Sequence, residues 1–189
     1  LLTQNADPPI SYSAPTASAQ LSAEDWATPW HVAYCKPRQE KSLARDLMSL
    51  GVSYFLPMVE RLTTSGGRRR RSLLPLFPSY LFFAAEETRR LEAVRTNRIL
   101  HFLPTNDAEH DVLRRELQSL ESCLQTRPES VELYNHVVKG QRVRVTGGAM
   151  KDWEGVVLDA SRPHKVWVGV GALGGGIVVE VHADLLVTS

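Results

Sequence analysis

Glycine is distributed so unevenly along this 189-residue chain that it splits the sequence into two parts with different folding rules. Nine of the twelve glycines fall after residue 139, where they separate five short runs: "QRVRV", "EGVVLDA", "HKVWVGV", "GIVVEVH" and "LLV". Glycine costs a helix interior about 1 kcal/mol relative to Ala, and the branched side chain of valine favours a strand. Residues 139–189 are therefore expected to be all β. Five strands so closely spaced predict a small closed barrel, because an open sheet of that size would expose its edges.

The earlier part alternates strand and helix patterns. "WHVAYCKP" sets Trp30, Val32 and Tyr34 against His31, Ala33 and Cys35, a strand that Pro37 stops. In "RQEKSLARDLMSLG", Leu43, Leu47 and Leu50 form one helical stripe, and Gly51 is a natural C-terminal stop. Arg38, Lys41 and Arg45 cluster on the opposite face of that helix. "VSYFLPMVERLT" reads as a second strand, with Pro57 arguing for an edge or a bulge, and Ser65–Arg71 reads as a loop. A strand from Tyr80 to about Ala84, a short helix over "ETRRLEAVRTN" and a strand in "RILHFLP" follow. A longer helix near 107–125 carries Leu113, Leu117, Leu120 and Leu124 on one stripe.

Antiparallel strands with helices packed on them make an α+β fold, an antiparallel-sheet α/β sandwich followed by the five-stranded barrel. The expected boundaries are a disordered Pro/Ala/Ser/Thr-rich arm over 1–29, the sandwich over 30–125, a linker over 126–138 around Pro128, and the barrel over 139–189.

The formal net charge of +1 conceals a strong asymmetry. Residues 30–104 hold 13 Lys/Arg against 6 Asp/Glu, a balance of +7 that makes a polyanion the first partner to consider. No signature of catalysis accompanies it: there is no H-E-x-x-H, no G-x-S-x-G and no P-loop. The histidines are scattered, and "GALGGG" lies between strands rather than opening a helix, so no enzyme activity, metal or cofactor is expected. No apolar run approaches the roughly 20 residues a membrane helix needs. Cys35 and Cys123 sit in no motif spacing and are expected as free thiols of a cytoplasmic protein.

One stretch sharpens the question of partner. "PLFPSYLFF", Pro75 to Phe83, holds four aromatic rings and no charge, directly after the arginines of "GGRRRR". By alternation Tyr80 and Phe82 share one face of their strand, and an uncovered aromatic face is the usual mark of a protein-binding site.

Together "WHVAYCKP", the following helix and "PLFPSYLFF" resemble the amino-terminal domain of the NusG family of transcription elongation factors. "KGQRVRVTGGAMKDWEGVV", Lys139 to Val157, is similar to that family's KOW motif. The resemblance implies a non-enzymatic, monomeric factor that docks on the clamp helices of RNA polymerase, through Phe77, Pro78, Tyr80 and Phe82 here. "YCKP" and "PLFPSYLF" resemble the specialised RfaH-like branch, whose members act as processive antiterminators and read the non-template DNA strand with a basic patch. The corresponding residues are Lys36, Gln39 and Arg98, with Arg38, Lys41 and Arg45 adding charge. The KOW domain, with Leu173 in its contact turn, would recruit a small-subunit ribosomal protein or the Rho termination factor. A general NusG elongation and termination factor, or a KOW-containing ribosomal or RNA-binding protein, are the alternatives.

Overall fold

The computed structural model describes residues 6–65, 68–104, 107–126, 131–134, 140–159, 164–170, 173, 175–181 and 185–188. The chain forms two compact units, Leu1–Thr105 and Asn106–Ser189.

In the first unit the order is β1 (Ser11–Tyr12), α1 (Ala23–Ala27), β2 (Trp30–Cys35), α2 (Glu40–Ser49), β3 (Ser53–Phe55), β4 (Met58–Ser65), β5 (Arg68–Pro75), β6 (Tyr80–Ala84), α3 (Glu87–Arg95) and β7 (Ile99–Phe102). Five of these strands make an antiparallel sheet ordered β1-β3-β6-β2-β7. Alternation along β2 and β6 assigns the faces. Ala33, Cys35, Leu81 and Phe83 join Leu43, Ala44 and Leu47 of α2 and Ala93 of α3 in the main apolar cluster. The α2 helix ends where the sequence puts its glycine: Gly51 sits at φ +65°. There its N–H bonds Met48 O at 3.1 Å and Val52 N–H bonds Leu47 O at 2.9 Å, a Schellman closure.

The arm expected to be disordered over 1–29 is structured from Ala6 onward. Composition hides two local signals. Ser22 and Asp25 form a reciprocal capping box on α1. The short β1 adds to the open edge of β3, pairing Ser11 with Phe55 and Tyr12 with Tyr54. The Tyr54 hydroxyl donates to Pro9 O at 3.1 Å, and Leu56 N–H to Ile10 O at 2.7 Å.

The loop expected at Ser65–Arg71 is a second departure. β4 and β5 pair without interruption from Met58↔Pro75 to Ser65↔Arg68, as a two-stranded ribbon outside the main sheet. Of the expected loop, Gly66 and Gly67 lie outside the described residues. At the base of the ribbon Met58 is buried, Leu73 packs on the main cluster, and Lys41 Nζ donates to Leu73 O at 2.9 Å.

The second unit runs α4 (Asp107–Thr126), β8 (Val131–Tyr134), β9 (Arg142–Val145), a 3-10 turn at Gly148–Met150, β10 (Glu154–Asp159), β11 (His164–Val170), β12 (Gly175–Val181) and β13 (Leu186–Thr188). Among the described residues these strands form no closed five-stranded barrel. They make one six-stranded antiparallel sheet ordered β13-β9-β10-β11-β12-β8. The reason is that the segment expected as a linker supplies β8, which occupies the β12 edge. α4 packs on β10 and β11 and buries Leu113, Leu117, Leu120 and Cys123, so a second layer does the covering that closure would have done. Gly169 stands opposite Gly176 across β11 and β12. The Trp167 ring lies 2.6 Å and 2.8 Å from where their Cβ atoms would be, so only glycine fits at either position.

Candidate protein and nucleic-acid interface

Two proline turns meet at one end of the N-terminal sheet. In "KPRQ" the Gln39 N–H returns to Lys36 O at 3.0 Å, with Arg38 at φ +62°. In "FPSY" the Tyr80 N–H returns to Phe77 O at 3.1 Å, with Ser79 at φ +67°. Proline second and a left-handed residue third is the pattern of a type II turn, whose third position ordinarily takes Gly or Asn. Holding Arg and Ser there costs each on the order of 1 kcal/mol or more. Glu40 ties the turns together: its buried carboxylate accepts the Ser79 N–H at 2.7 Å, while Ser79 O accepts the Cys35 N–H at 2.8 Å. Burial, then the charge of Glu40, pushes the Cys35 thiol up to about 11.

Beside these turns an aromatic row crosses three strands. Tyr34 of β2 is paired with Tyr80 of β6 on one side and His101 of β7 on the other. The ring centroids lie 5.1 Å and 4.8 Å apart. Both tyrosines are half-buried and His101 is exposed. The four residues expected at a polymerase contact divide here. Pro78 is exposed and Tyr80 half-buried, but Phe77 is 4% and Phe82 0% exposed. Phe82 packs between Phe55, at 6.3 Å, and Phe77, edge-on at 5.6 Å. Two aromatics expected at a surface are therefore core. Tyr34 and His101 escape a reading of single strands. The alternation of "WHVAYC" puts Tyr34 on the face of Trp30 and Val32, but only the strand order β6-β2-β7 brings it between Tyr80 and His101.

The basic residues divide as well. Lys36 Nζ lies 3.5 Å from Asn97 Oδ1, and Lys36 N–H bonds Arg98 O at 2.9 Å. Arg98 bonds Asp46 through Nε and Gln39 Oε1 through Nη1, so its charge is already compensated. Exposed Arg38 and half-buried Lys36 carry the positive charge beside the aromatic row. Lys41 and Arg45 point elsewhere on α2, Lys41 to the base of β5 and Arg45 to Asp7 at 3.2 Å. The cluster expected of Arg38, Lys41 and Arg45 is not formed, because Arg38 precedes the helix in a left-handed turn.

In the second unit Leu173 is half-buried between β11 and β12. A cleft of about 390 Å³ lies between α4 and the β9–β10 segment. Several of its polar groups bond one another. Trp153 Nε1 donates to Ser122 Oγ at 2.7 Å, Glu154 N–H to Ser119 Oγ at 3.0 Å, and Arg144 pairs with Glu154 at 2.8 Å. Among the described residues no three His, Cys, Asp or Glu side chains gather where they could hold a metal ion. No described helix is long and apolar enough to cross a membrane.

Against known proteins, residues 28–121 match the family model described as "Transcription termination factor nusG". The match runs from just before β2 through most of α4. No curated protein matches the chain. A solved structure titled "Domain interaction in Thermotoga maritima NusG" aligns at 17% identity, covering 85% of this chain and 97% of that one. Its TM-score is 0.40.

Proposed function

We propose, from the match of residues 28–121 to the NusG family model, that this protein is a member of that family and rides RNA polymerase during elongation, docking through the Tyr80–Tyr34–His101 row. Half-buried aromatics already stacked in the free protein lose little conformational freedom on binding. Interface anchors of this kind are worth about 2 kcal/mol or more when truncated. Pro78 extends the contact, whereas Phe77 and Phe82 support it from within.

In this reading Lys36 and Arg38 meet the exposed non-template DNA strand, with Gln39 and Arg98 fixing the turn that presents them. A basic turn beside stacked aromatics is the arrangement that binds single strands with little sequence preference. The second unit, with Leu173 near its contact surface, is the arm for a ribosomal protein or Rho. An antiterminator of the RfaH-like type acts by lowering the population of the paused state.

The observation that carries the proposal is the aromatic row beside a strained basic turn. Capture of core RNA polymerase by full-length protein tests it. Tyr34→Ala combined with Tyr80→Ala is expected to weaken capture by at least about 30-fold, with melting little changed. Unchanged capture, in a variant that melts like the parent, overturns it.

A further inference from the structure

We propose that the cleft between α4 and the β9–β10 segment of the second unit is a binding site for a compact phosphorylated molecule. Two of its lining residues, Ser119 and Ser122, stand one turn apart on α4. Ser119 Oγ accepts the Glu154 N–H at 3.0 Å, and Ser122 Oγ accepts the Trp153 indole N–H at 2.7 Å. A hydroxyl has one proton to donate as well as lone pairs, and both bonds spend lone pairs only. Among the described residues neither hydroxyl donates to an acceptor. Elsewhere such hydroxyls turn back to a helix carbonyl, as Thr126 Oγ1 does to Ser122 O at 2.7 Å and Ser49 Oγ to Arg45 O at 2.9 Å. Ser119 is 6% exposed, so its proton must find an acceptor inside the cleft rather than in bulk water.

The charged groups of the lining point to the same ligand. Three cations reach the cleft from three places: Arg115 on α4, Arg144 on β9, and Lys151 after the 3-10 turn. Glu154 lies between the two guanidiniums, 2.8 Å from Arg144 Nη2 and 3.9 Å from Arg115 Nη1. One carboxylate so placed orients both arginines and leaves most of their N–H donors unspent. Gln118 adds a carboxamide, and exposed Asp152 is the second carboxylate of the lining. Three cations against two carboxylates, over two hydroxyls with unspent protons, favour an anion rich in acceptors. The donors approach from the helix side and from the sheet side. Phosphate oxygens project in several directions and suit that arrangement, whereas the two oxygens of a carboxylate lie in one plane. A volume of about 390 Å³ is near the lower end of ligand pockets, which restricts the ligand to a compact one. The surplus of a single charge predicts modest affinity, with a dissociation constant of about 1 mM or tighter.

The site needs neither polymerase nor DNA, so its test is independent of the polymerase-riding reading. Isotope-labelled full-length protein is titrated with pyrophosphate, with metal-free ATP and with acetate, all at constant ionic strength. The Trp153 indole N–H resonance is the reporter, because its acceptor is one of the two hydroxyls. It is expected to shift and saturate with pyrophosphate and with ATP, and to stay in place with acetate. Tighter binding of ATP assigns the ligand to the nucleotides, and equal binding assigns it to phosphates without a base; both support the site. Arg144→Gln with Lys151→Gln is expected to weaken binding about tenfold or more. Arg144 also pairs with Glu154, so should that variant melt early, Arg115→Gln on the helix side is expected to show the same direction of loss. Absence of saturation with either phosphate probe up to about 10 mM overturns the proposal. So does an equal response to acetate, or unchanged affinity in a folded variant. A shift with short single-stranded RNA but with neither small probe also overturns it, and makes the cleft part of a nucleic-acid groove.

Discussion

Two rows of the same sheet, four residues apart along β2, are built for opposite purposes. At one end Trp30, Ala84 and Ser53 lie side by side, and α1 closes the row. Asp25 O accepts the Trp30 indole N–H at 3.1 Å, the Asp25 carboxylate accepts the Ser53 hydroxyl, and Trp26 stacks on Trp30 at 4.7 Å. At the other end His101, Tyr34 and Tyr80 lie side by side, flanked by two turns held in left-handed backbone. The sealed row spends its polar groups on the chain itself. The open row keeps aromatic surface and positive charge in reach of solvent, and accepts strain to do so. On the proposed reading stability and binding are separable along one strand, which substitutions can check.

The largest effect belongs to the row between them, Val32, Phe82 and Phe55. Phe82→Ala empties a fully buried site and should cost about 3–5 kcal/mol, read as an early melting transition. Tyr80→Ala, two residues away on the same face, should cost about 1 kcal/mol while weakening polymerase capture. If Phe82→Ala melts like the parent yet loses capture, the division between sealed and open rows is wrong.

That pair also shows how far the sequence can be read. The strand over Tyr80–Ala84, the α2 stripe with its Gly51 stop and the α4 stripe follow from periods of 2 and 3.6, which are local. Which aromatics surface is not local: Phe82 and Tyr80 have the same alternation, and only packing of Phe55 and Phe77 separates them. The arm failed for a related reason. Its order rests on one capping box and a two-residue strand, each too short to register as a pattern. β8 and the ribbon differ from expectation because strand pairing depends on which edges are open, and that is a property of the assembled sheet.

Next in size is Asp25. Burial alone would raise its carboxyl, but the surrounding serine donors outweigh burial and hold it below the usual carboxylate range. A depressed folded value means that its contribution is complete above the ordinary carboxylate pKa and is lost as pH falls through the folded value. Acid should therefore loosen residues 6–29 ahead of the main cluster, with the Trp26–Trp30 stack as a fluorescence reporter. Asp25→Ala should cost about 1–3 kcal/mol at neutral pH, because the Ser53 hydroxyl and the Ser22 N–H and hydroxyl lose their acceptor, and should abolish the acid step. A retained acid step in the variant would assign the titration to another group.

The smallest effect has the opposite sign, and it bears most directly on the open row. Arg38 occupies a position where glycine carries no steric penalty, so Arg38→Gly relieves the left-handed strain. The gain is offset in part because glycine also frees the unfolded chain, leaving a net stabilisation of at most about 1 kcal/mol. The same substitution removes the exposed guanidinium beside Tyr34 and Tyr80, and single-stranded DNA binding should lose about one unit of salt slope. A variant that melts higher and binds weaker shows that this turn tolerates strain for the sake of charge. A variant that melts higher and binds as before would make Arg38 an ordinary solvated residue, and the open row a protein contact without a nucleic-acid neighbour.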